Sequence, residues 1–298
     1  MQQKVQLIIK ALYDCLPISI ENAGRGFYGS VCKVTFQKEP FVVSIKIFDD
    51  PKYMLLQAKE QTFITSHKDI KMPKVLFVYQ NQDVNALVME WAESENLEHM
   101  KVPKLTKKES LAWDIVNQSI ELHKITNKTY GYLYNKQYSS WQLFYKNLSQ
   151  EMLERIDCAT KRGLIDLENF KLIQYAFKKF DEIFSEQVSA ASLIHGDLNI
   201  GNIIVKDNKV SAIIDPMGVM WGDREIELFQ FECSGSDNYD LLEKYFSINK
   251  PSKKFELKNA FYKAFAETNH YCRIGKKQDD YLSSFFKQLE EKIIKFKL

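Results

Sequence analysis

Apolar positions change their period along the chain, and those changes divide it into parts. Val5, Ile8, Ile9, Leu12 and Leu16 recur at three- and four-residue spacing, which predicts an opening amphipathic helix stopped by Pro17. From about residue 20 to 90 the pattern is mainly that of strands. KVTF (33–36) and FVVSIKIF (41–48) are β-branched and aromatic runs joined by QKEP, a hairpin connection. YMLLQAKEQTFITSH (53–67), after Asp49-Asp50-Pro51, reads as a helix. MPKVLFVYQ (72–80) and ALVMEWA (86–92) are two further strands around the turn-like Asn81-Gln82-Asp83. The polar, acidic AESENLEHM (92–100) reads as a linker.

Beyond residue 100 the period lengthens. The segments 110–125, 141–163 and 168–188 all space their apolar residues as helices do. One strand-rich insertion, SLIHGDLNIGNIIVKDNKVSAIIDP (192–216), interrupts them, with two apolar strands flanking an Asp207-Asn208 turn. The remainder to Leu298 is helical again. The pattern predicts an α+β protein of two lobes. Residues 1–92 form a small β-rich lobe, and residues 93–298 a larger, mostly helical lobe with an embedded β-hairpin.

Composition narrows the partners. Forty-one Lys+Arg against 39 Asp+Glu leave a net charge of +2 in 298 residues, so nucleic acid is not an expected partner. Nowhere do 18 apolar residues run together, so no membrane span is expected. The N-terminal apolar stretch is broken by Lys10 and Asp14 and lacks a small-residue cleavage site, unlike a signal peptide. Five scattered cysteines without a C-x-x-C pair argue against zinc or a disulfide framework and suit a reducing cytoplasm. The sequence leaves the oligomeric state open.

Gly24-Arg25-Gly26-Phe27-Tyr28-Gly29-Ser30-Val31 fits G-x-G-x-x-G-x-V. A dinucleotide-binding loop must open a helix, but this one runs into the strand-forming Val31-Cys32-Lys33-Val34-Thr35-Phe36. It is therefore the bend of a hairpin, the geometry that lays backbone N–H groups over ATP phosphates. The next strand carries Val43-Ser44-Ile45-Lys46, close to the V-A-I-K motif whose lysine contacts the α- and β-phosphates. A lysine in an apolar strand needs a compensating anion. Glu60, the one acid between Pro51 and Lys68, is the expected partner.

The strongest signal is His195-Gly196-Asp197-Leu198-Asn199-Ile200-Gly201-Asn202, with Asp215 ending the following strand. Phosphoryl transfer needs a carboxylate near the acceptor hydroxyl and oxygen ligands for Mg²⁺ on the nucleotide phosphates. Asp197 and Asn202 stand five apart, the spacing in the kinase loop H-R-D-L-x-x-x-N. Asp215 follows Ala212-Ile213-Ile214, where a kinase places its second metal ligand. His195 is assigned no chemical step.

These residues resemble the superfamily of aminoglycoside phosphotransferases, choline kinases and fructosamine (ketosamine) kinases, relatives of the protein kinases. The H-G-D-x-x-x-x-N form of the loop, with Gly196 in place of Arg, is its hallmark. Leu122-His123, Gly131, Trp141-Gln142-Leu143-Phe144-Tyr145 and Gly222-Asp223-Arg224-Glu225 look most like fructosamine kinases. The resemblance implies a bilobal protein-kinase-like fold, with Asp197 as catalytic base and Asn202 and Asp215 as Mg²⁺ ligands. It implies that Lys46, with Glu60 behind it, and the loop residues Gly24, Gly26, Gly29, Ser30 and Val31 hold the phosphates. It also implies that the hinge Met89-Glu90-Trp91-Ala92 offers backbone groups to the adenine. The nucleotide the resemblance implies is ATP, and the choice between ATP and GTP is left open by the sequence.

Asp215-Pro216-Met217 replaces D-F-G, and no A-P-E or activation segment follows, which argues against a peptide substrate. The glycine loop is, conversely, protein-kinase-like, so a protein kinase stays an alternative, as does a nucleotide-binding pseudokinase. Asp223, Glu225, Glu227, Glu232, Asp237 and Asp240 make the stretch after Asp215 acidic. Such charges would steer a cationic acceptor, and a solvated helix face is the competing reading. Trp141, Phe144 and Tyr145 read as core. Lys101, Lys104, Lys107 and Lys108 read as a solvated cluster. The expected activity is transfer of the γ-phosphoryl group to a hydroxyl of a small molecule: an aminoglycoside or related amino sugar, or alternatively a ketosamine.

Overall fold

A computed structural model describes residues 1–298 apart from Ser94, Val102, Lys104 and Ser234, and apart from the side chains of Leu105 and Asp237. The chain forms two compact units, residues 1–121 with 196–218, and residues 122–195 with 219–298.

In the first unit, α1 (Gln2–Leu12) precedes β1 (Pro17–Gly26), β2 (Gly29–Phe36) and β3 (Val42–Phe48). Then come α2 (Pro51–Thr65), β4 (Val75–Gln80) and β5 (Asn85–Glu90). The five strands form one sheet in the order β1-β2-β3-β5-β4, with every neighbouring pair antiparallel. Side chains alternate between the two faces of a strand. Val43, Ile45 and Ile47 of β3 pack with Val34, Ala86 and Val88 beneath Val5, Ile8 and Ile9 of α1. Phe48 packs instead with Met54 and Ala58 of α2 and with Leu87 and Met89. Val43, Ile45 and Ile47 thus lie on one face of β3, and the polar Ser44 and Lys46 share the other face with Phe48. Asp50 starts α2 by accepting the Lys52 N–H at 2.8 Å, and Pro51 occupies the first turn, where no N–H is needed.

The acidic stretch after β5 is more than a linker. It contains β6 (Glu95–Asn96) and a 3₁₀ turn at Leu97–His99 before α3 (Leu105–Lys124), whose last turn enters the second unit. β6 pairs with β10 (Ile203–Lys206), which pairs with β11 (Lys209–Ile213). The β10–β11 turn is the one expected: Asp207 (φ 53°) and Asn208 (φ 60°) both take the left-handed conformation of a two-residue hairpin turn. The Ile213 N–H donates to the Lys71 carbonyl at 2.7 Å, so the segment 196–218 is tied to the first unit at several points.

The second unit carries a four-stranded sheet that the sequence pattern does not reveal. Its order is β7 (Thr126–Asn127), β9 (Ala191–Ile194), β12 (Met220–Gly222), β8 (Gly131–Tyr132). Strands of two to four residues are too short to show a period. Around the sheet lie α4 (Trp141–Lys161), α5 (Leu167–Lys178), α6 (Phe180–Ile183), α7 (Leu241–Ile248), α8 (Phe255–Ile274) and α9 (Asp280–Lys295). Trp141, Phe144 and Tyr145 are core, as read. Trp141 stacks on Tyr145 at 5.1 Å, and Tyr145 meets Phe261 and Tyr262 of α8. Among the described residues no helix is long and apolar enough to cross a membrane.

Candidate active site

The glycine loop is the bend of the β1–β2 hairpin. Gly26 faces Gly29 at the end of the ladder, and Phe27-Tyr28 make the turn. Gly29 is required by close approach, because a Cβ there would run into the Ile47 carbonyl of β3. At Gly24 a Cβ would meet nothing within 4 Å, and at Gly26 only the Gly29 oxygen at 4.0 Å. Those two glycines leave open space beside the backbone, as a phosphate-covering loop needs. Ser30 pairs with Ile47, and Val31 lies directly opposite Lys46. The Tyr28 carbonyl accepts the Asp49 N–H at 3.2 Å, and the Tyr28 ring packs at a tilt against Tyr53 of α2 with centroids 4.1 Å apart.

Strand alternation turns Lys46 toward the face that bears Phe48, away from α1. The side chain is 5% exposed, and its Nζ lies 2.9 Å from Asp215 Oδ2 and 3.0 Å from Gln57 Oε1. The helix residue that takes the ammonium is thus Gln57, one turn before the expected Glu60. Glu60 is also buried, but its carboxylate accepts the Gly218 N–H at 3.2 Å and so holds the segment after Asp215. A search for an acid could not find Gln57. Gln57 and Gln61 stand four apart on one face of α2 and are 1% and 2% exposed.

Short bonds join Asn202 to Asp197, and the residue before Asp215 bonds the Asn202 backbone. Asn202 Nδ2 donates to Asp197 Oδ2 at 2.9 Å and to its carbonyl at 2.7 Å. Asn199 Nδ2 donates to the other carboxylate oxygen at 2.7 Å, and Asn199 Oδ1 in turn accepts the Gly201 N–H at 2.8 Å. The Ile214 N–H donates to the Asn202 carbonyl at 2.9 Å, which sets Asp215 beside Asn202. Asp215 itself is left-handed, with φ 55°, a conformation uncommon outside glycine and often found at functional sites. Asn199 is a second residue the motif reading missed; its signal is its place two residues after Asp197.

Gly196 explains why the loop is H-G-D and not H-R-D. Its φ is +84°, and a Cβ would strike the Met217 carbonyl. The backbone of 196 and the irregular segment following Asp215 approach too closely for any side chain.

At the hinge, the Glu90 N–H bonds the Lys74 carbonyl at 3.0 Å and the Glu90 carbonyl accepts Ser44 Oγ at 3.2 Å. Glu90 Oε2 accepts the Lys74 N–H at 3.0 Å. Trp91 and Ala92 follow the end of β5, where the backbone has left the ladder. Glu93 pairs with Lys206, whose ammonium holds its carboxyl below the ordinary value.

The acidic stretch does not form the acceptor surface expected of it. Asp223, Glu225 and Glu227 are 4%, 4% and 3% exposed. Lys258 Nζ lies 2.5 Å from Asp223 and 2.7 Å from Glu225, and Ser252 donates to Glu225 through both N–H and Oγ at 2.7 Å. Tyr262 donates to Asp223 at 2.9 Å and accepts the Trp141 indole N–H at 2.8 Å. Glu227 Oε2 accepts from His123 Nε2 at 3.1 Å and from the His195 N–H at 3.3 Å. Carboxylates so enclosed and matched cannot steer a ligand through solvent. Burial alone would lower the Lys258 pKa, but Asp223 and Glu225 outweigh it and the value rises. Glu232 bonds Asn259 at 2.6 Å. Of the other residues read as surface charges, Lys104 and the Asp237 side chain lie outside the described residues.

The family model for fructosamine kinase matches residues 19–292. The chain belongs to the fructosamine kinase family. It is a phosphotransferase of kinase-like fold that acts on small molecules. No curated protein sequence matches it. Among solved structures, a candidate fructosamine-3-kinase of Haemophilus somnus 129PT is 19% identical over 98% of both chains, with TM-score 0.74. Aminoglycoside phosphotransferase APH(4)-Ia, in a ternary complex with AMP-PNP and hygromycin B, is 13% identical over 97% of both, with TM-score 0.71. The GDP complex of aminoglycoside 2′-phosphotransferase-IIIa is 16% identical over 99% of both, with TM-score 0.68. At these identities the likeness establishes the fold shared by the fructosamine kinase and aminoglycoside phosphotransferase families.

Two substitutions check these assignments. Gly196→Ala should destabilise the chain by about 2 kcal/mol or more and slow turnover about 100-fold, read by urea unfolding and steady-state kinetics. Lys258→Met strands two buried carboxylates and should cost about 3–5 kcal/mol in the same unfolding experiment; a loss below about 1 kcal/mol, the range of surface ion pairs, would contradict their burial.

Proposed function

We propose that this chain is an ATP-dependent ketosamine kinase that transfers the γ-phosphoryl group to a sugar hydroxyl of an amine–sugar adduct, and that it needs Mg²⁺. The observation that carries the reading is the linked set Lys46, Asp215, Asn202 and Asp197 in a chain of the fructosamine kinase family. The aminoglycoside reading drew its support from an acidic acceptor surface, and the buried carboxylates at 223, 225 and 227 take that support away. ATP is the expected donor, with GTP tolerated. The five free cysteines favour the cytoplasm.

The oxygen donors fit a magnesium ion carried on nucleotide phosphates. Among the described residues no three His, Cys, Asp or Glu side chains gather into a metal cage. A nucleotide-borne Mg²⁺ needs only one or two protein oxygens in addition to phosphate and water. The Asp215 carboxylate and Asn202 Oδ1 would supply them, since Asn202 already uses its amide nitrogen on Asp197. When bound, the ion neutralises charge on the phosphates.

The protein's own residues supply the rest. Lys46, aligned from below by Gln57, meets the phosphates with a fixed ammonium. Gly24 and Gly26 let the loop backbone come close to them. Asp197 accepts the proton of the attacking hydroxyl, and its carboxylate is held on both oxygens by Asn199 and Asn202, so it does not have to be ordered during the reaction. The acceptor oxygen then bonds to the γ-phosphorus as the bond to the β-phosphate oxygen breaks, and ADP leaves.

Purified protein should convert ATP to ADP in a coupled assay with fructosamines such as fructosyl-lysine, and much less with aminoglycosides or choline. The phosphorylated product is identified by ³¹P NMR. Asp197→Ala should lower kcat about 10²–10⁴-fold with nucleotide affinity unchanged. Turnover with an aminoglycoside and none with ketosamines would overturn the choice of acceptor. Equal loss of turnover and nucleotide binding in Asp197→Ala would overturn the role of that carboxylate.

A further inference from the structure

α2 presents two amides to the interior of the first unit. Gln57 Nε2 donates to Gln61 Oε1 at 3.2 Å, and Gln61 Nε2 donates to the Pro73 carbonyl at 2.7 Å and contacts Met89 Sδ at 3.4 Å. Gln61 is thereby fixed, and it fixes Gln57. The same Gln57 Nε2 donates to Asp215 Oδ1 at 3.0 Å, while Gln57 Oε1 accepts from Lys46 Nζ at 3.0 Å. A flipped amide would set NH₂ against an ammonium that can only donate, and oxygen against a carboxylate that can only accept. The orientation is therefore determined by chemistry.

Only a side chain that both donates and accepts can serve Lys46 and Asp215 together. A carboxylate at 57 would satisfy the lysine but stand about one hydrogen bond from a second carboxylate, where like charges repel. Glu60, also buried on α2, accepts the Gly218 N–H. We infer that Gln57 is a positioning residue for phosphoryl transfer: its amide, accepting from the lysine and donating to the aspartate, holds the two in register. This rests on the nucleotide-binding reading proposed above. With Mg·ATP bound, Lys46 would serve the phosphates and Asp215 the ion, and the Gln57 amide would hold each of them in place.

Gln57→Met keeps length and helix propensity but loses both bonds. Gln57→Glu keeps shape and the bond to Lys46, loses the donor to Asp215 and neutralises the lysine. Binding of Mg·ATP is measured by calorimetry without acceptor, and unfolding midpoints are measured without ligand. Both variants should bind Mg·ATP about tenfold or more weakly, the loss expected for hydrogen bonds to charged groups. The KM for ATP should rise in parallel, with the KM for the acceptor unchanged. If Gln57→Met fails to fold, the isosteric Gln57→Glu decides alone. Wild-type affinity in a folded Gln57→Glu would overturn the inference, because any acceptor for Lys46 would then suffice. A wild-type protein that does not bind Mg·ATP would overturn the nucleotide-binding reading itself, and the inference with it.

Discussion

A lysine buried in an apolar sheet is the constraint on which the first unit is organised. Lys46 is flanked on β3 by Ile45 and Ile47, which belong to the core under α1. Leaving its ammonium without partners would cost several kcal/mol of desolvation. The structure answers with an aspartate from a segment some 170 residues away in sequence, an amide from α2 and the face of the Phe48 ring at 5.2 Å. Each answer is also a placement. Asp215 is drawn to β3, Gln57 sets the rotation of α2, and Asn202 follows because its carbonyl bonds Ile214. A pair that is expensive to separate and easy to redirect toward a phosphate and a cation suits a site whose charges are to be exchanged with a ligand's.

Local signals in the sequence report several parts of this unit. The glycine hairpin, the β10–β11 turn and the Asp197–Asn202 spacing each lie within one short segment, where turn chemistry and strand alternation act directly. The partner of Lys46 was not legible. Charge alone pointed to Glu60, and the decisive property was that Gln57 can donate and accept at once. That property matters only after Asp215 has arrived from far along the chain, which no local pattern reports. The same limit hid the Gly196 contact with Met217 and the two-residue strands β7 and β8.

The second unit shows the opposite case, in which composition misled. Six acids between 223 and 240 read as a surface, yet 223, 225 and 227 are interior and bound to Lys258, Ser252, Tyr262 and His123. The complementary residues lie about 25 to 40 positions later, on α8 or just before it, or a hundred positions earlier on α3. Buried ion pairs of this kind are weak evidence for stability as such, and strong evidence that the carboxylates are not an electrostatic lure.

The central claim is that Asp215 and Asn202 serve one nucleotide-borne ion beside Lys46. Electron paramagnetic resonance of Mn²⁺, titrated into the protein with a non-hydrolysable ATP analogue, tests it most directly. The account predicts one ion bound per chain only when the nucleotide is present, and loss of that signal in Asp215→Ala with the fold intact. Undiminished ion binding in Asp215→Ala would contradict it.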